Sequence, residues 1–301
     1  MFSFWGESVK DPGPVSHRGR SSSGACASGQ GRPHLFWEGS FRGVLMKIVA
    51  VIPARMGSVR FPGKPLAPIL GQPLLAWVVA VAKACRSVDR VIVATDTPEI
   101  AVAAEKAGAE GRMTSPEHRT GTDRVAEAVR DTEADIVLNV QGDEPTLLST
   151  DLDALLAVFS DSTVDMATLV VRGADAARRS DPDSVKVVTD DDGNALYFSR
   201  APVPYCAPVA CGDADGRRGA DAATLLHVGV YAFRRAALER FVSAERTGLE
   251  ELEDLEQLRA LRMGWKIRVV EVEKEPLGVD RPEDIPAVES WLKARGQGVG
   301  R

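Results

Sequence analysis

MKIVAVIPARMGSVRFPGKPL, residues 46–66, decides the fold. Ile48–Ile52 is an unbroken run of apolar and β-branched residues, the pattern of a strand buried on both faces of a parallel sheet. The run feeds directly into a loop that holds Arg55, Arg60 and Lys64, with Gly57 and Gly63 interspersed. Ligands of open α/β sheets sit beyond the carboxyl ends of the strands, and this loop lies there. Glycines let backbone amides approach an anion closely. The cations supply charge, at about 4 kcal/mol per contact pair in a protein cleft against about 1 kcal/mol in water. A solvated basic loop is the plainer alternative, but the position after the first strand favours anion binding. The loop is not a Walker motif. Five residues separate Gly57 from Gly63 where that motif has four, and Pro65 follows Lys64 where it needs Ser or Thr. There is no GxGxxG, so a dinucleotide-binding dehydrogenase is poorly supported.

Downstream of this stretch the pattern alternates. Leu74–Cys85 is apolar and Ala-rich and predicts a helix; Arg90–Ala94 predicts the next strand. Thr97-Pro98-Glu99 predicts a helix start, with Thr as cap, Pro in the first turn and Glu at the positive end of the dipole. Asp123–Arg130 reads as helical, and Ile136–Val140 as a third buried strand. Such alternation implies a parallel sheet with helices on both faces. After residue 160 the grammar changes: Met166–Val171, Val185–Val188, Ala195–Phe198 and His227–Tyr231 read as strands with little helix between them. A mixed or antiparallel insertion over roughly 165–235 follows. Glu250–Arg262 then reads as one strong helix, Ile267–Val272 as a strand and Asp284–Ala294 as a closing helix; Ala207–Ala223 reads as a flexible loop.

The 301 residues suffice for one large α/β domain, here residues 46–301, preceded by a segment of different character. Residues 1–45 are rich in Ser, Gly and Arg and lack helical or strand periodicity, which predicts disorder. They hold no continuous apolar region for a secretory signal, and Glu7, Asp11 and Glu38 count against a transit peptide; a translation start at Met46 is the plainer reading. The net charge of -6 argues against a general nucleic-acid binder. The four cysteines, Cys26, Cys85, Cys206 and Cys211, form no CxxC pair, and no apolar stretch reaches membrane-span length. A cytoplasmic protein with incidental thiols is expected.

Two carboxylates fall on the same predicted edge as the basic loop. Asp143 follows Ile136–Val140 in QGDEP, and Asp280 lies in GVDRPED, in the loop after Ile267–Val272. Either alone reads as a turn or cap residue. Both together, facing a cationic loop, predict a hard divalent cation such as Mg2+, which takes carboxylate oxygens and bridges phosphates. Glu283 and Asp284 read instead as first-turn acids of the closing helix.

At this point the motifs become specific. PARMGSVRFPGKPL, TSPEHRTGTDR, NVQGDEP, NALYFSR, HVGVY, LEDLEQLRAL and GVDRPED occur in this order over roughly residues 46–295. Together they resemble the 3-deoxy-manno-octulosonate cytidylyltransferase (CMP-Kdo synthetase) family, whose members feed Kdo into bacterial lipopolysaccharide. The resemblance implies a three-layer, Rossmann-like nucleotidyltransferase fold with a mainly parallel sheet. It implies a transferase that couples CTP to Kdo with Mg2+ and is commonly a homodimer. It implies that Arg55, Ser58, Arg60 and Lys64 form the triphosphate loop, that Thr120, Gly121 and Thr122 border the cytosine, and that Asp143 and Asp280 bind the metal. Arg60, Lys64 and Asp143 would then be catalytic. Arg200, His227, Tyr231, Glu256 and Gln257 match sugar-binding positions. From the residues alone, His227 reads as a core histidine, Glu256 and Gln257 as a solvated helix face, and Arg200 as a surface ion-pair partner. Three other functions stay open at this stage: a cytidylyltransferase for another acidic sugar or an 8-amino analogue, a non-catalytic nucleotide binder, and a nucleotide-sugar-dependent glycosyltransferase. Retention of both aspartates disfavours the second, and the RxGSxRxPGK loop disfavours the third.

Overall fold

The structure is a computed structural model, and it describes residues 46–58, 60–173, 175–205 and 223–296. Residues 1–45 and most of the loop expected over Ala207–Ala223 lie outside these, as do Cys26, Cys206 and Cys211.

Strand β1, Ile48–Ala54, is an interior strand of the sheet, with a parallel neighbour on each side. Its side chains sort by the two-residue period of a strand. Ile48, Ala50, Ile52 and Ala54 enter one core, and Val49 and Val51 enter the other. The short pair β2 (Pro68–Ile69) and β3 (Gln72–Pro73) follows, then helix α1 (Leu74–Ala84), β4 (Arg90–Thr95), α2 (Pro98–Ala107) and β5 (Glu110–Met113). Next come α3 (Gly121–Ala128), β6 (Ile136–Asn139), α4 (Ser149–Ala157), β7 (Met166–Arg172), the single turn α5 (Ala176–Ser180), β8 (Lys186–Thr189) and β9 (Ala195–Ser199). The chain closes with β10 (Leu225–Arg234), α6 (Arg235–Ser243), α7 (Gly248–Glu253), α8 (Gln257–Arg262), β11 (Ile267–Val272) and α9 (Ile285–Ala294).

The sheet runs β11-β7-β10-β6-β1-β4-β5. β6, β4 and β5 extend β1 in parallel, and β11 is parallel to β7. β10 alone runs against its neighbours β6 and β7. The β8–β9 hairpin joins through β8, which pairs with the start of β10. A mainly parallel sheet with a mixed second half is therefore what forms. Helices α1, α2 and α4 cover one face, and α3, α6 and α8 cover the other. No helix among the described residues is long and apolar enough to cross a membrane.

Two local expectations change. Thr97 occupies the cap position of α2, but its side chain caps nothing: the hydroxyl donates to Asp96 Oδ1 at 2.9 Å, and Pro98 supplies the first-turn geometry. The single helix expected over Glu250–Arg262 is broken. Asp254 adopts φ +50°, in the left-handed region, and Leu255 N–H returns to the Glu250 carbonyl at 3.1 Å, a Schellman-type closure. Asp is among the few non-glycine residues that enter this region readily. The apolar spacing of LEDLEQLRAL continues across the break, so periodicity cannot reveal it.

Candidate nucleotide and sugar site

β1 delivers the chain to a cleft of about 420 Å3 at the carboxyl edge of the sheet, within the roughly 300–1,000 Å3 usual for small-molecule sites. The basic loop forms one wall. Ser58 N–H and Gly63 N–H both donate to the Met56 carbonyl, at 2.9 and 3.1 Å, which folds the loop back on itself. Gly63 closes the turn at φ +76°, a conformation that favours glycine. A 3-10 turn, Lys64–Leu66, follows. Arg55, Ser58, Arg60 and Lys64 all line the cleft.

The opposite lip comes from the turn after β6. A Cβ on Gly142 would lie 3.1 Å from the Pro53 carbonyl, tighter than an ordinary contact, so the glycine eases the close approach of this turn to β1. Asp143 is brought to Lys64 with Oδ2 2.6 Å from Nζ, and Asp280 reaches the same ammonium at 3.5 Å. Arg60 lies 3.4 Å from Asp280. Val279 N–H donates to the Asp143 carbonyl at 2.9 Å, which joins the two loops. Behind them, Glu144 Oε2 is buried with no hydrogen-bond partner among the described residues. Burial, then the charges of Asp143 and Asp280, push the Glu144 carboxyl well above the usual range.

This donor set fits magnesium. Mg2+ is typically held by one or two carboxylates, several waters and substrate phosphates rather than by a full protein cage. Asp143 and Asp280 converge on one cationic position, and among the described residues no group of three or more His, Cys, Asp or Glu side chains makes a cage.

The third wall is the start of α3. Thr120 caps it in a reciprocal box: Asp123 N–H donates to Thr120 Oγ1 at 3.1 Å, and Thr120 N–H to Asp123 Oδ2 at 3.3 Å. Thr120 and Gly121 face the cleft. Thr122 does not. It is 1% exposed and turns to the sheet, where its hydroxyl donates to Glu256 and accepts from Asn139 Nδ2 at 3.3 Å. His118, Arg119, Arg124 and Gln141 also line the cleft, and reading the sequence did not single them out. All four sit inside quoted motifs, immediately before a helix start, in its first turn, or after a strand end, and that placement was the available signal. His118 pairs with Glu127, and Arg124 is buried against Asp96 at 2.8 Å.

Thr122 leads into a second polar cluster on the inner face of the sheet. Asn139 and Thr168 are fully buried, and Tyr231 and Gln257 nearly so. The break at Asp254 turns Glu256 and Gln257 inward, away from the solvated helix face that the charge pattern alone suggests. His227 Nε2 lies 2.9 Å from Thr168 Oγ1, and its ring is 5.3 Å from that of Tyr231. Burial pushes the His227 imidazole down to about 3, so the ring is neutral. Burial and the nearby Glu256 charge push the Tyr231 phenol up. Burial also raises Glu256, against the opposing bond from Thr122. Asn139 Oδ1 and Gln257 Nε2 have no hydrogen-bond partner among the described residues. Such buried groups are normally satisfied, at a cost of about 1–3 kcal/mol each when they are not.

Arg200 stands apart from it. Its guanidinium donates to the carbonyls of Glu253, Pro182 and Asp254, at 2.7, 2.9 and 3.2 Å, and the Arg200 backbone N–H donates to the Glu253 carboxylate at 2.9 Å. Among the described residues it makes no hydrogen bond to His227, Tyr231, Glu256 or Gln257. It braces the turn that delivers the last two.

The sequence profile of the family described as Cytidylyltransferase matches residues 49–267. A 3-deoxy-manno-octulosonate cytidylyltransferase of Bdellovibrio bacteriovorus is 44% identical over 254 residues, 83% of this chain and 100% of the relative. One from Nitratidesulfovibrio vulgaris (strain DP4) is 47% identical over 247 residues, 81% of this chain and 95% of the relative. Among solved structures, a CMP:2-keto-3-deoxy-manno-octonic acid synthetase complexed with CTP superposes with a TM-score of 0.75 at 39% identity, covering 83% of this chain and 99% of that one. Matches of this identity and coverage, on a chain whose basic loop and paired aspartates share one edge of the sheet, are decisive: the chain belongs to the cytidylyltransferases, and among them to the 3-deoxy-manno-octulosonate cytidylyltransferase family.

Proposed function

We propose that this chain transfers the CMP moiety of CTP to Kdo, forming CMP-Kdo and pyrophosphate for lipopolysaccharide synthesis, with Mg2+ as cofactor. The observation that carries the reading is the meeting of Lys64 with both Asp143 and Asp280 at the lip of the cleft. CTP lies with its triphosphate along Arg55, Ser58, Arg60 and Lys64 and its base against Thr120 and Gly121. Kdo occupies the inner cluster of His227, Tyr231, Glu256 and Gln257, with Asn139 and Thr122 beneath it. Arg200 serves the sugar side by holding the turn that aims Glu256 and Gln257. The anomeric C2 hydroxyl attacks the α-phosphorus, and its proton is released to water. The bond from that phosphorus to the bridging oxygen breaks, and pyrophosphate leaves with the electron pair.

Magnesium held by Asp143 and Asp280 would neutralise charge on the α-phosphate and help to orient the hydroxyl. Arg60 and Lys64 stabilise the charge that builds on pyrophosphate. Positioning and electrostatics carry the rate, with no covalent enzyme intermediate. Cys85 is no nucleophile: burial, then its bond to Asp153, pushes the thiol up to about 12. On the family resemblance we read the protein as a cytoplasmic homodimer. The test is pyrophosphate release from CTP and Mg2+ across a panel of acidic sugars. Kdo should be the preferred acceptor. Preference for an 8-amino analogue would change the substrate, and CTP binding without turnover on any sugar would defeat the enzymatic reading.

A further inference from the structure

The chain that carries Asp280 runs from residue 275 to 279 with no helix or strand to hold it. Its position relative to Asp143 has to come from discrete bonds. Thr146, 2% exposed and three residues after Asp143, supplies two of them. Its Oγ1 accepts from Leu277 N–H at 2.5 Å and donates to the Leu277 carbonyl at 3.2 Å. One hydroxyl thus satisfies both backbone groups of one residue, which its donor and paired acceptor sites allow. Two residues on, Val279 N–H reaches the Asp143 carbonyl at 2.9 Å. Between them Gly278 lies against the Asp143 turn: a Cβ built there would sit 3.4 Å from Glu144 Oε1 and 3.6 Å from the Asp143 carbonyl, at ordinary contact distance. From the far side, Asp280 N–H is held by Asp284 Oδ2 at 2.8 Å.

We propose that Thr146 is a positioning residue whose hydroxyl staples the Asp280 loop to the Asp143 turn, and so sets the spacing of the two carboxylates for a divalent cation. The proposal rests on the reading of Asp143 and Asp280 as metal ligands. It assigns the staple to the hydroxyl and not to the methyl group of the same side chain. Removing a partner that orients a metal ligand typically weakens metal binding about 10- to 100-fold.

The test compares Thr146→Val, which keeps the shape, with Thr146→Ser, which keeps the hydroxyl. Binding of Mn2+ with CTP is read by water-proton relaxation without sugar, alongside the Mg2+ concentration that gives half-maximal turnover. Thr146→Val should weaken Mn2+ binding and raise the Mg2+ requirement by about tenfold, the low end of that range, while Thr146→Ser stays near wild type. Unchanged metal binding in Thr146→Val would overturn the proposal. So would a Thr146→Ser protein as impaired as Thr146→Val, because the methyl packing would then be responsible. Asp143→Asn is measured in parallel: if it too leaves Mn2+ binding unchanged, the metal reading itself has failed, a result distinct from failure of the staple alone.

Discussion

Replacing Lys64 by Met keeps most of the side chain's length and removes its charge. Nζ lies 2.6 Å from Asp143 and 3.5 Å from Asp280 on a side chain only 14% exposed, so the charge acts at short range and weakly screened. A unit pair at about 4 Å contributes about 4 kcal/mol at the effective dielectric of a protein cleft. On the proposed mechanism the ammonium exchanges its aspartate contacts for the departing pyrophosphate, so the net loss falls near that for deleting one preorganised donor, about 2.7–4 kcal/mol or about 100- to 1,000-fold in kcat. Steady-state pyrophosphate release should show the loss in kcat and leave KM for the sugar nearly unchanged, since Lys64 lies outside the inner cluster. Lys64→Arg should recover only part of the rate, because it keeps the charge but not the compact ammonium. Without ligands, Lys64→Met also leaves Asp143 and Asp280 with no shared cation, so Mg2+ should raise its Tm more than it raises that of the wild type. A Lys64→Met enzyme within about threefold of wild-type kcat, a loss under about 1 kcal/mol, would refute the reasoning.

Three other outcomes are expected. Arg259→Met strands the fully buried Glu250, which Arg259 meets at 2.9 Å through Nε, and should cost about 3–5 kcal/mol in urea unfolding at pH 7. Burial opposes the Glu250 charge, but bonds from Arg259 and Arg246 outweigh it and hold the carboxyl below its usual range. Its stabilisation is therefore present above the unfolded carboxylate range and lost as pH falls through the folded value, and the Arg259→Met penalty should shrink in acid. His227, pushed down to about 3, is neutral in the fold where the unfolded chain takes up a proton below about 6.5. Stability should fall by roughly 2 kcal/mol between pH 7 and pH 5 on this account, and His227→Gln should flatten that slope in unfolding titrations. Glu256→Gln and Tyr231→Phe should raise KM for Kdo while leaving KM for CTP near wild type, as measured by varying each substrate against saturating amounts of the other.

Much of the fold is written in runs that both faces of the sheet bury. Ile48–Ile52, Arg90–Ala94 and Ile136–Val140 leave little alternative to central strands, and each forms within two residues of its expected bounds. β5 was not legible: Glu110–Met113 is a half-buried edge strand with no apolar run and no clean alternation. The loop cations and paired aspartates were legible because each follows a strand end, and the topology brings all such ends to one edge. The inner cluster was not legible from the residues alone; the family resemblance names His227, Tyr231, Glu256 and Gln257, but nothing in the pattern says that they meet. Asn139 and Thr168 sit in strands whose apolar neighbours mask them, and Glu256 and Gln257 reach the interior only through the left-handed Asp254. Thr122 and Arg200 show a further limit. A motif names the residue, but which way Thr122 turns, and that Arg200 spends its donors on backbone carbonyls, follow from tertiary contacts alone.

The most direct test of the central claim is a double-mutant cycle in kcat between Asp143→Asn and Asp280→Asn, with pyrophosphate release measured at several Mg2+ concentrations. If the two carboxylates serve one cation, either substitution alone removes most of the rate and the pair is scarcely worse than one. Losses that simply multiply, or near-normal turnover in Asp143→Asn, would contradict it.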